Sequence, residues 1–196
     1  MNAVSFGYKA TWLAVRDRPA DVVADALRMP ERGTVGWQDG VEAAYQGSVL
    51  LTPPVDGWTL VLSRPGPILP DPSADGFGEW FAKVSVELGT VRSFVTHRVV
   101  EIHGWARADQ GRVERVYCYL GESGEVTTDV GPRTDEELEL GIGDRDGIPT
   151  EEDVIRLAGL CSVNPAELDG RDVPGDCLLV PASRPKSRWR PGRLRR

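Results

Sequence analysis

The stretch RVVEIHGWARADQGRVERVYCYL, residues 98–120, decides the fold. Apolar and polar residues alternate on both sides of Asp109-Gln110-Gly111, a short turn-forming tripeptide. That pattern predicts an antiparallel hairpin with strands at Arg98–Ala108 and Arg112–Leu120. Taking the tripeptide as the whole loop sets Ala108 opposite Arg112. Trp105 then meets Arg115, His103 meets Tyr117 and Glu101 meets Tyr119. Side chains alternate between the two sides of a strand, so Val100, Ile102, Val116, Cys118 and Leu120 form a core face. Glu101, His103, Trp105, Arg115, Tyr117 and Tyr119 form the other, a polar-aromatic surface suited to line a pocket.

Similar reasoning extends outward. Phe77, Trp80, Phe81, Val84 and Leu88 recur at helical spacing and predict a helix over Phe77–Leu88, capped by Gly89. Pro19 opens a second helix running to Met29, with Val22, Val23, Ala26 and Leu27 as its apolar stripe. Strands are expected at Tyr8–Val15, Thr34–Trp37, Val41–Thr52, Trp58–Ser63 and Val91–Thr96, with a proline-rich loop over Pro65–Gly76. Beyond Gly121 the pattern turns helical. Thr134 with Glu137 reads as a capping box, Thr150 starts a helix to about Leu160, and Asn164-Pro165 starts a third. The expected fold is α+β: a mainly antiparallel sheet with two core helices on one face and a helical C-terminal extension. One globular domain covers 1–183, with its body at 8–121 and the extension at 133–170. Thr11-Trp-Leu-Ala-Val and Trp58-Thr-Leu-Val-Leu each precede a helix that is followed by Gly-Thr-Val, at 33–35 and 89–91. This suggests tandem βαβββ-like halves with a groove between them.

Charge is unevenly spread. The net −7 conceals a tail, Arg184–Arg196, with seven bases and no acid, which leaves the body 16 of the 23 bases against 30 acids, or −14. An acidic body repels nucleic acid and anionic membranes and suits a cationic partner. The tail is expected to be disordered and to give at most weak polyanion contact. No apolar run reaches the roughly 20 residues of a membrane span, and no basic, apolar leader opens the chain. Cys118, Cys161 and Cys177 are odd in number and form no C-x-x-C pair, which fits reduced thiols in a cytoplasmic protein.

Chemistry concentrates in the hairpin. Both histidines, His97 and His103, flank Glu101. Six residues of extended strand span about 20 Å, so His97 and His103 cannot share an ion, and no metal site is expected. Glu101 with His103 remains a candidate acid–base pair, the imidazole being the natural proton carrier near neutral pH. Trp105 beside Arg115 suggests a cation–π pair. The chain has no G-x-G-x-x-G or Walker loop and no G-x-S-x-G elbow, and no cofactor is implied.

Pro53–Val61, Thr96–Ala106 and Tyr117–Gly124 resemble hypothetical proteins of GC-rich bacteria, a group with no assigned activity. The resemblance covers roughly residues 8–168 and implies a bacterial cytoplasmic protein with one globular body. The leading expectation is a non-catalytic binding protein for a protein or small molecule, with an immunity-type protein against a basic toxin as one concrete form. The alternative is a small-molecule enzyme with a pocket between the pseudo-repeats, using Glu101 and His103.

Overall fold

Two strands in the middle of the sheet are buried along nearly their whole length rather than on alternate residues, and such strands must be covered on both faces. They are β1 (Ala10–Arg16) and β4 (Trp58–Ser63), and they pair antiparallel with Trp12 opposite Leu62 and Ala14 opposite Leu60. The computed structural model describes residues 2–64, 69–99, 101–121, 123–144 and 147–182; Pro65–Ile68, Val100 and the basic tail lie outside these. The other strands are β2 (Gly33–Val35), β3 (Val49–Leu51), β5 (Thr90–His97), β6 (Ile102–Asp109), β7 (Arg112–Leu120), β8 (Glu125–Val130) and β9 (Cys177–Val180). The helices are α1 (Ala20–Ala26), α2 (Trp37–Tyr45), α3 (Phe77–Leu88), α4 (Asp135–Leu140) and α5 (Glu151–Cys161). All nine strands among the described residues join one sheet in the order β2-β9-β3-β4-β1-β5-β6-β7-β8, and every pairing is antiparallel.

The fold is therefore α+β, built on a large antiparallel sheet. On one face Leu13, Val15, Val61, Val91 and Val116 pack against Val23 and Ala24 of α1 and Phe77, Phe81, Val84 and Leu88 of α3. On the other, Trp12, Leu60, Leu62, Phe94, Trp105 and Tyr117 pack against Trp37, Val41 and Ala44 of α2 and Val154, Ile155, Leu157 and Ala158 of α5. The two expected core helices do share a face, and the second pair covers the opposite one. α1 stops at Ala26, short of Met29, because Arg28 turns left-handed (φ 60°). Val22, expected on its apolar stripe, is exposed, and Ala24 is buried instead.

The four central strands have a recognisable connectivity. Since β1 and β3 both run antiparallel to β4 between them, they are parallel to each other, and α1 lies on the path between them. β4 and β5 are likewise parallel, separated by β1 and linked through α3. Two interleaved split β-α-β units result, in the order β5-β1-β4-β3. The halves meet along the β1–β4 seam, which is buried side chain to side chain and leaves no groove there. The Gly-Thr-Val segments are not equivalent: Gly33–Val35 is the edge strand β2, whereas Gly89–Val91 leads into β5 beside the centre.

Three assignments change. The strand expected over Val41–Thr52 is mostly α2: Trp37, Gly40, Val41 and Ala44 make a buried stripe at helical spacing, and only Val49–Leu51 is strand. Gly40 lets α2 lie directly on β3, since a Cβ there would come within 2.5 Å of Leu50 Cδ1. β8 and β9 had no clear signal, the first being polar and the second four residues between Pro174 and Pro181. The strand expected from Arg98 begins at Ile102, because Arg98, Val99 and Glu101 lie in the turn from β5.

The hairpin register also differs from expectation. Only Gln110 and Gly111 form the loop, both with positive φ (46° and 87°), a type I′ arrangement that sets Asp109 opposite Arg112. A bulge follows, because Arg107 pairs with Arg115 while Ala108 pairs with Val113, leaving Glu114 as the extra residue. The two changes each move the register by one residue. Trp105 thus faces Tyr117 rather than Arg115, and His103 faces Tyr119 rather than Tyr117. An even shift keeps each side chain on its expected face while changing its partner.

Asn is the favoured first residue of such a turn, so Gln110→Asn should stabilise the protein by about 0.5 kcal/mol. Gly111→Ala should destabilise it by more than about 1 kcal/mol, because the φ is left-handed and the methyl would meet Val86 Cγ2 at 2.6 Å. Urea unfolding midpoints of the two variants check both.

Candidate functional site

The polar-aromatic face of β6–β7 is not open surface. The chain after Gly131 folds back over it. Trp105 stacks on Tyr117, with centroids 4.5 Å apart and planes 20° from parallel, and both rings are buried. The Arg115 guanidinium lies 5.4 Å from the Tyr117 centroid, so the cation–π partner of Arg115 is Tyr117, not Trp105.

Arg115 is 1% exposed, and each of its three nitrogens donates a hydrogen bond. Its Nε donates to both Glu137 oxygens at 2.9 and 3.1 Å. Nη1 donates to Asp129 at 2.6 Å and to the carbonyls of Val130 and Gly131, and Nη2 donates to the Gly143 carbonyl at 2.9 Å. Glu137 is itself wholly buried and closes the capping box of α4, accepting from Thr134 N while its own N–H donates to Thr134 Oγ1. Tyr117 adds a hydrogen bond from its hydroxyl to the Asp144 carbonyl at 3.0 Å. With all three of its nitrogens engaged, Arg115 ties the extension to the sheet; its contacts are to the protein itself. The sequence shows the Thr134–Glu137 box but nothing that joins Glu137 to Arg115 across 22 residues.

A cleft of about 480 Å³ opens at one end of this face. His103 and Tyr119 form its inner wall, Tyr8, Arg98 and Glu101 one side, and Ile148, Pro149, Thr150, Glu151 and Glu152, leading into α5, the other. Of the six residues singled out from the sequence, Glu101, His103 and Tyr119 line the cleft, whereas Trp105, Arg115 and Tyr117 lie beneath the extension. Glu101 sits in the β5–β6 turn with φ 49°, its carbonyl accepting from Gly121 N at 3.0 Å. Its carboxylate rests against Gly121, where any side chain would collide with it. The far wall, with Glu151 and Ile148, is supplied by a loop whose approach no local pattern reveals.

His103 is 6% exposed, and its Nδ1 is buried without a hydrogen-bond partner. No hydrogen bond joins it to Glu101. Burial pushes its pKa below the ordinary 6.5, and the charges of Glu151, Glu101 and Asp153 oppose that only in part. The native imidazole is therefore neutral near pH 7. His97, at the end of β5, pairs across with Ile102, while Thr96 pairs with His103, so strand alternation sends the two imidazoles to opposite faces. Among the described residues no three His, Cys, Asp or Glu side chains are grouped to hold a metal ion, and no helix is long and apolar enough to cross a membrane. Burial holds Cys118, Cys161 and Cys177 as thiols, with pKa values pushed up to about 12.

No family model, curated protein or solved structure matches the chain. The reading of function rests on the cleft.

Two outcomes test this geometry. Arg115→Met strands the buried Glu137 and should cost about 3–5 kcal/mol, and Arg115→Met/Glu137→Leu should cost less than the single change, as denaturant unfolding would show. His103 binds a proton more readily unfolded than folded. Its contribution to stability is fully present above pH 6.5 and disappears as pH falls through its lower native value. Unfolding curves between pH 7.5 and 5 should show this loss, and His103→Gln should lack that component.

Proposed function

We propose that the chain is a non-catalytic cytoplasmic binding protein and that its partner presents a cationic group to the His103 cleft. The observation that carries this reading is the rim. Glu101, Glu151 and Glu152 set three carboxylates against the single base Arg98 around a wall that contains Tyr8 and Tyr119. Tyr8 is 53% exposed and Ile148 is 70% exposed, and Val99, next to Arg98, is also exposed. An acidic ring around aromatic and aliphatic anchors suits a lysine or arginine side chain, whose charged head meets carboxylates while its stem lies on apolar surface. The −14 body would attract such a partner from a distance. A basic protein surface, as in an immunity-type pairing, is the partner that best matches both scales.

A second reading has one observation in its favour: a neutral imidazole with a free Nδ1 stands in the same cleft as the Glu101 carboxylate. A small-molecule enzyme would use them as base and acid.

A thermal-shift screen of wild type and His103→Ala against basic peptides, polyamines, nucleotides and metabolites separates the two. A ligand at 100 times its dissociation constant stabilises by about 2.7 kcal/mol. Basic peptides should raise the wild-type midpoint, less so at high salt, and Glu151→Gln should weaken the effect. A hit among neutral or anionic metabolites instead, with Glu101→Gln binding it but not turning it over, would replace the binding reading by the enzymatic one.

A further inference from the structure

The observed register places three arginines on one rung of the sheet: Arg92 of β5 faces Arg107 of β6, which faces Arg115 of β7. Like charges directly opposite one another destabilise a sheet unless each is neutralised. Arg115 has Glu137 and Asp129. Arg107 has Glu114 at 2.8 Å and Glu136 at 3.9 Å. Arg92 has no ion pair among the described residues. It is 8% exposed, its Nη1 donates only to the carbonyls of Val91 and Ala108, and its Nε is buried without a partner.

Arg92 lines a small cavity between the sheet and α5, together with Phe94, Trp105, Leu157 and Cys161. Trp105 Nε1 is the second buried donor there without an acceptor. The Cys161 thiol donates to the Leu157 carbonyl at 2.8 Å and stays protonated, so it supplies no negative charge. The free space is about 20 Å³, room for one guest of about the size of a water molecule. A guest here lies beside Arg92, whose guanidinium has no ion pair among the described residues and sits 5.9 Å from the Trp58 ring, and beside Trp105, between mainly apolar walls that Arg107, Arg115, Thr134 and Glu136 complete. Arginine does not shed its proton to relieve the charge. We propose that Arg92 and Trp105 hold one monatomic anion, a chloride ion, in this cavity. A halide accepts from both donors, needs no acceptor in return and gives Arg92 the countercharge that its two neighbours obtain from carboxylates. Oxyanions are too large for the space. Glu136, at the cavity rim, is engaged with Arg107.

Two measurements on the full chain decide it. In crystals soaked in bromide, an anomalous peak is expected in the cavity within hydrogen-bond distance of Arg92 Nε. In solution, the wild-type unfolding midpoint should rise by about 3 °C when chloride reaches ten times its dissociation constant, compared with gluconate at the same ionic strength. The rise should vanish in Arg92→Met and shrink in Trp105→Phe, which removes one donor and keeps an aromatic ring. If Arg92→Met does not fold, Trp105→Phe and the bromide map carry the decision. Superimposable chloride and gluconate curves for the wild type, or a map with only water in the cavity, overturn the proposal.

Discussion

The structure depends on one buried ion pair. Arg115 and Glu137 lie out of water, and charges so placed are tolerated only when nearly every donor and acceptor is satisfied. That condition fixes much of the surrounding chain at once. Asp129 must approach from β8, the Val130, Gly131 and Gly143 carbonyls must turn inward, and α4 must begin at Thr134 so that Glu137 can cap it and still reach Nε. Gly131 takes a left-handed conformation against the Glu114 carbonyl, and Gly143 takes one against Glu137 and Trp105, where a side chain would not fit. Trp105 and Tyr117 are the floor on which this network rests, which is why they are interior residues rather than the open wall of a pocket.

Legibility from sequence followed the range of the forces involved. α3 was readable to its ends because five apolar residues at helical spacing and a terminal glycine are local signals. The capping box at Thr134 and the helix start at Thr150 were readable for the same reason. α2 was not, since Val41-Glu-Ala-Ala-Tyr is ambiguous on its own and is settled by the contact of Gly40 with Leu50. The faces of the hairpin were correct although the register was not: strand alternation is intrinsic, whereas the bulge at Glu114 is set by what Arg107 and Arg115 must reach. In the site, Glu101, His103 and Tyr119 were legible as a polar-aromatic set. Glu151 and Ile148 were not, because they arrive through the packing of α5 on the sheet.

The cleft and the network share a cause. The extension covers β6–β7 from Arg115 to Tyr117 and then rises at Ile148–Glu152 into α5, so the last polar pair of the face, His103 and Tyr119, ends up at the bottom of a cleft, nearly buried. The neutral state of His103 belongs to the same arrangement, since the chain that nearly buries it also brings Glu151 close enough to oppose the desolvation. The site is thus a margin left by folding, lined by residues from both the early sheet and the late helix.

β9 carries a consequence for how the chain is made. Residues 177–180 lie between β2 and β3, and among the described residues β2 pairs with no other strand. The amino-terminal end is tied to the same late region, with Ala3 N donating to Arg171 O and Phe6 N to Pro165 O. A ribosome must therefore deliver the chain as far as residues 177–180 before residues 33–35 find a neighbour. Until then the outer edge of β3, with Val49, Leu50 and Leu51, has no strand beside it. Such long-range closure is slow, and an unpaired apolar edge is where nascent chains adhere to one another. The newborn protein passes through an interval of vulnerability that ends when β9 slots in.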